Sequence, residues 1–98
     1  MNAQRRKQIE KACERFNIVD NKIADCKGEL EDLKDELEAI RDDEQEYLDN
    51  MPENLHGSDK YATAEESIQE LESLIEGIDG LLSSIEDMPN SDSLLAVI

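Results

Sequence analysis

The sequence predicts an all-α chain: a long antiparallel helical hairpin of the coiled-coil kind, assembled into a dimeric helical bundle. Three observations carry that expectation. Apolar residues recur in two separate heptad runs. A short polar connector holding Pro52 and Gly57 divides the runs. Charged residues make up 37% of the chain and aromatic ones only 3%, a mixture that suits thin helical assemblies better than a globule with a thick interior. The 98 residues make one helical domain, read as a helix over about 3–50, an elbow over 51–58, a second helix over about 59–87 and a tail over 88–98.

Counting Ile9 as heptad position a, the a series of the first helix is Ile9, Phe16, Ile23, Leu30 and Leu37, followed by Glu44 and Met51. The d series is Ala12, Val19, Cys26, Leu33, Ile40 and Tyr47. No proline interrupts the run, and its length corresponds to roughly 70 Å at 1.5 Å per residue. Pro52 ends it, because the ring disfavours helical geometry at the preceding Met51. The segment Pro52–Leu55 fits a single helical turn with proline first. Gly57 offers a residue that tolerates positive φ, and Ser58 or Asp59 can cap the next helix, with Thr63 and Glu66 as a second possible capping box.

The second helix places Tyr61, Ile68, Ile75 and Leu82 at a, and Ala64, Leu71, Ile78 and Ile85 at d. Leu74 and Leu81 at g widen the stripe beyond two-stranded width. Folded back, this shorter helix covers the first from about residue 23 to residue 50. Ile9, Phe16, Val19 and Ile23 therefore form the expected dimerisation surface, since an exposed apolar stripe of that length is usually buried by another chain. Interhelical charges suit a parallel pair, with Arg15–Asp20, Glu29–Lys34 and Glu36–Arg41 attractive and Lys22–Lys27 repulsive, but pairs this exposed do not fix the direction. The terminal Leu94–Ile98 either docks on the bundle, inserts into a partner, or stays disordered.

The charge is uneven. Residues 1–27 hold seven basic and four acidic residues, a balance of +3, whereas residues 28–98 hold three basic and 22 acidic residues, a balance of −19. From Tyr61 onward there is no Lys or Arg. Nineteen net charges on a hairpin ~40 Å long amount to about one per 2 Å, close to the one per ~1.7 Å of duplex DNA. The net charge of −16 disfavours nucleic acid or an anionic membrane as direct partner and favours a basic protein surface. The residues expected to meet such a surface are Asp42, Asp43, Glu44, Glu46, Glu65, Glu66, Glu70 and Glu72. A solvated acidic face that only aids solubility is the bland alternative.

Other chemistry finds little footing. No apolar run reaches the ~20 residues of a membrane span, and the basic N-terminus lacks the apolar stretch of a signal peptide. Cys13 and Cys26 match no metal spacing and are read as small buried thiols in a reduced, cytoplasmic setting. Glu53 and His56 spell half of a di-iron carboxylate motif, but they stand alone in the connector and His56 is the only histidine. The acidic run Arg41–Glu46 lacks the alternating ligands and central glycine of a calcium loop. Glu44, at a core position, either sets register or faces solvent where the helices splay, and the second is preferred. With no Cys–His pair, no Ser–His–Asp set and no phosphate-binding glycine loop, the expectation is a protein without enzymatic activity, metal or cofactor.

The stretch LEAIRDDEQEYLDNMPENLHGSDKYATAEESIQELESLIEGID resembles a group of small acidic helical proteins encoded by bacteriophages and prophages. In them an arginine-acid-acid-glutamine run leads into an Asn-Met-Pro-Glu elbow and an Ala/Glu-rich second helix. The match covers about the middle half of the chain and departs at Lys60 and Tyr61, where Arg-Gly is expected. The resemblance implies a phage origin, a two-helix coiled coil and no catalytic residues. It leads to two functional expectations. One is a non-catalytic inhibitor that obstructs a host enzyme, such as a defence nuclease, by acidic DNA mimicry in the cytoplasm of the infected cell. The other is a structural coiled-coil adaptor or dimerisation module.

Overall fold

The computed structural model describes residues 2–98. Helix α1 runs Ala3–Asp49, a single 3-10 turn covers Glu53–Leu55, α2 runs Asp59–Glu86 and α3 runs Ser91–Leu95. The class is all-α, as the heptads predict, with two long helices folded into a hairpin. The molecule is a rod of 77 × 17 × 15 Å with a radius of gyration of 22.4 Å, against roughly 13 Å for a compact chain of this length.

Each boundary has a local cause. Asn2 Oδ1 accepts the Arg5 N–H at 2.8 Å and caps α1. Pro52 stands just before the 3-10 turn, as expected of a residue that has no N–H to donate. Ser58 Oγ accepts the Tyr61 N–H at 3.3 Å, so α2 starts at Asp59 and the alternative box at Thr63 lies inside the helix. The expected positive φ at Gly57 is not adopted: no described residue has one. Right-handed turns from Pro52 to Ser58, bonded Leu55 N–H to Pro52 O and Ser58 N–H to Leu55 O at 2.9 Å each, make the reversal without it.

The tail is ordered rather than free. Asn90 and Ser93 form a reciprocal capping box that starts α3, and α3 lies against α1. The Ser91 N–H donates to Asp20 Oδ2 at 3.1 Å, bringing a carboxylate to the helix start. The N-terminal part of α1 is thus partnered by its own tail, where the sequence suggested no intrachain partner. Cys13, on the same side of α1 as Asp20, is buried, while Cys26 is exposed, against the expectation that both thiols are covered.

The core is thin. Its buried apolar members are Cys13, Leu48, Ala64, Ile68 and Ile75, and none is fully enclosed. Leu48, Ala64 and Ile68 cluster with Tyr61 packed against them near the elbow.

Candidate functional site

Helix α1 has two apolar rows, and α2 covers only one. Ile9, Phe16, Ile23, Leu30 and Leu37 at a are half-buried, and Cys13 and Leu48 at e are buried. The d row is open: Val19 is 48% exposed, Leu33 43%, Ile40 53% and Tyr47 50%. Of the four residues expected to dimerise, Ile9, Phe16 and Ile23 therefore lie on the inward row, and Val19 alone belongs to the exposed one.

Charge explains why α2 takes the a/e side. Position e of α1 carries Lys27, Lys34 and Arg41, and position e of α2 carries Glu65, Glu72, Asp79 and Glu86. Lys34 Nζ meets Asp79 Oδ1 at 2.6 Å and Lys27 Nζ meets Glu86 Oε1 at 3.5 Å. The two rungs are seven residues apart on each helix, which gives the register of the hairpin. The bond to Asp79 raises the Lys34 pKa from 10.5, against desolvation and with Asp79, Glu38 and Asp35 adding favourable charge. Continuing the register places Glu72 across from Arg41, whose guanidinium Asp42 holds at 3.1 Å. Because Lys34 meets Asp79 and Arg41 meets Asp42, two of the three attractive flanking pairs of a parallel dimer lose their cations.

The opposite side of the hairpin joins the d row of α1 to the g row of α2, where Leu74 is 57% and Leu81 49% exposed. On the register above, Leu74 stands beside Ile40 and Leu81 beside Leu33. Near the elbow this side deepens into a groove of about 880 Å³ lined by Tyr47, Met51, Pro52 and Leu55, with Asp43, Glu46, Asp59 and Lys60 at its rim. The heptad reading placed the leucines but did not foresee this continuous face. The readable signal was the pair of opposed e rows, which settles which side of each helix turns inward.

The eight candidate acidic residues are not gathered on one face. Asp42, Asp43, Glu46, Glu65, Glu66, Glu70 and Glu72 are exposed and wrap around the elbow half of the rod. Glu66 and Glu70 border a shallow groove on the outer side of α2 with Gln69, Ser73 and Leu74. Glu44 is half-buried in the cleft with Tyr47, Lys60 and Thr63 rather than splayed into solvent.

At the connector, His56 Nε2 lies 3.0 Å from the Met51 carbonyl, and its ring stacks on Tyr61 with centroids 4.6 Å apart. Those contacts give the histidine a structural part in the elbow. Burial raises the Tyr61 pKa from 10.0, helped by the charge and hydrogen bonding of Glu65 and the charge of Asp49. Among the described residues no group of three or more His, Cys, Asp or Glu is placed to hold a metal ion, and no helix is long and apolar enough to cross a membrane. No protein-family description, characterised protein or solved structure matches the chain significantly.

Proposed function

We propose that this chain is a non-catalytic binding protein of phage origin that inhibits a host enzyme, using its acidic hairpin to occupy a basic, nucleic-acid-binding surface. The observation that carries the reading is the wrapping of exposed carboxylates around a rod only 17 × 15 Å in cross-section. Past Tyr61 no cation interrupts them. Asp43, Glu46, Glu65, Glu66, Glu70 and Glu72 offer several sides of that rod to a positively charged groove, as the phosphates of a duplex would. The activity is obstruction of a defence or nucleic-acid-processing enzyme in the cytoplasm of the infected bacterium.

Capture from host lysate at low and high salt tests this. Retention of a nucleic-acid enzyme that is lost at high salt, with cumulative weakening as those carboxylates become amides, supports it. Salt-insensitive capture overturns it. The apolar elbow groove favours a second reading, an adaptor whose partner seats on Tyr47, Met51 and Leu55; there Leu55→Asp abolishes capture while the amide series leaves it unchanged.

A further inference from the structure

We propose that the open face of the hairpin is covered by a second copy of this chain, running antiparallel, about a two-fold axis that crosses α1 between Glu29 and Leu30. This inference does not rest on the host target: the seam takes up Asp43 and the elbow groove and leaves Glu65, Glu66, Glu70 and Glu72 of α2 outside it.

Area gives the first argument. A compact monomer of 11.1 kDa exposes roughly 5,700 Å², whereas this chain exposes 7440 Å². The excess is more than the ~800 Å² per partner that a standard interface removes. Much of the apolar part lies along one line, the d row of α1 with Leu74 and Leu81 beside it.

Sequence register gives the second. Turning α1 over about the Glu29–Leu30 axis sets Val19 against Ile40 of the other copy, Cys26 against Leu33, and Ala12 against Tyr47, so every d residue from Ala12 to Tyr47 meets another. The g row beside that seam reads Arg15, Lys22, Glu29, Glu36, Asp43. In the same overlay Arg15 falls by Asp43 and Lys22 by Glu36, with Glu29 opposite itself as the one repulsive rung. A parallel arrangement would set the basic thirds abreast and the acidic hairpins abreast. The antiparallel one lays the +3 segment of each copy over the −19 segment of the other. It also delivers the first turns of α1, with Arg5 and Gln8, to the acid-rimmed groove at the other copy's elbow.

Light scattering on the full chain, followed by cysteine cross-linking, tests the proposal. All cross-linking variants carry Cys13→Ser. The expected mass is twice 11.1 kDa. Cys26 alone does not bridge the copies, since the overlay holds the two thiols about seven residues, ~10 Å, apart along the seam. With Leu33→Cys, oxidised glutathione gives a covalent dimer through Cys26 of one copy and the new thiol of the other, and Cys26→Ser abolishes it. Lys22→Glu weakens the dimer, and adding Glu36→Lys restores it. Lys22, Cys26, Leu33 and Glu36 are exposed, so helicity by circular dichroism stays at that of the parent protein, Cys13→Ser for the cross-linking set, in each variant. A monomeric protein overturns the proposal. So does a Leu33→Cys cross-link that survives Cys26→Ser, which indicates parallel copies, or a dimer that Leu33→Cys leaves uncross-linked.

Discussion

The inward and outward rows of α1 are built from the same kinds of residue and meet opposite fates. Ile9, Phe16, Ile23, Leu30 and Leu37 turn toward α2 and the tail, whereas Val19, Leu33, Ile40 and Tyr47 remain in water. Hydrophobicity alone does not separate them. The difference lies in the neighbouring heptad position: beside the inward row stand Lys27 and Lys34, which meet Glu86 and Asp79 of α2, and Arg41, which the register sets across from Glu72. Weak surface charges, individually worth ~1 kcal/mol or less, thus select between two apolar stripes of similar strength. The teaching is that such pairs contribute more to the choice of packing side than to stability.

The largest expected break in that contrast comes from placing one charge on each side. Ile75→Asp buries a carboxylate at a site 5% exposed and should cost more than ~3 kcal/mol, enough to unfold so thin a hairpin. Ile40→Asp, at 53% exposure, should leave the helical circular dichroism signal intact and remove self-association. Loss of helicity in Ile40→Asp would mean that the outward row is part of the monomer's core.

Truncation gives a gentler version. Leu48→Ala empties the cluster with Ala64 and Ile68 and should lower stability by about 2–3 kcal/mol in urea unfolding. Leu74→Ala should change monomer stability by less than about 0.5 kcal/mol. Equal losses would erase the distinction between the two sides.

The tail sharpens the comparison at the other end of the rod. Asp20→Ala removes the acceptor of the Ser91 N–H and should cost about 1 kcal/mol, seen as faster amide exchange confined to residues 91–98. Unchanged exchange there would show that apolar contacts alone hold α3.

Two smaller effects concern α2. Gly77 and Gly80 lie within the helix, and an added Cβ meets nothing within 4 Å at either, so each Gly→Ala should raise stability by about 0.5–1 kcal/mol, measurable as a higher Tm. The Lys34 pKa is raised by Asp79 and the Tyr61 pKa is raised by burial. For groups whose folded pKa lies above the unfolded value, the stabilisation is complete below the unfolded pKa and is lost as pH rises through the folded one. The hairpin should therefore hold its Tm from neutral pH to about 10 and lose it above that, with a shallower loss in Lys34→Gln. A loss beginning well below pH 10 would contradict both assignments.

Both long helices were legible from heptads, and both ends of the elbow from Pro52 and Ser58, because punctuation by proline and serine acts locally. The tail was not, since Leu94–Ile98 has no periodicity and the hydrogen bond that ties α3 to α1 joins Ser91 to Asp20, 71 residues earlier in the chain. The start of α3 was nevertheless written in Asn90 and Ser93, a capping pair. Gly57 misled because glycine permits a left-handed turn without requiring one. The eight candidate carboxylates were correctly read as mostly exposed, but their distribution around the rod depends on which row of α1 meets α2, and Glu44 was drawn into the cleft by that choice.

The ladder between the helices also has a degeneracy. Its rungs repeat every seven residues, and nearly every rung is a cation opposite a carboxylate. A hairpin slipped by one heptad would set Lys27 against Asp79, Lys34 against Glu72 and Arg41 against Glu65, three attractive rungs again. Neither the charges nor the heptads single out the alignment. The connector does, because the hydrogen-bonded turns of Asn50–Ser58 set the height at which α2 starts, and a slip of ~10 Å would have to break them. Lengthened there by a flexible heptad, this chain would become a ratchet with at least two nearly equal stops.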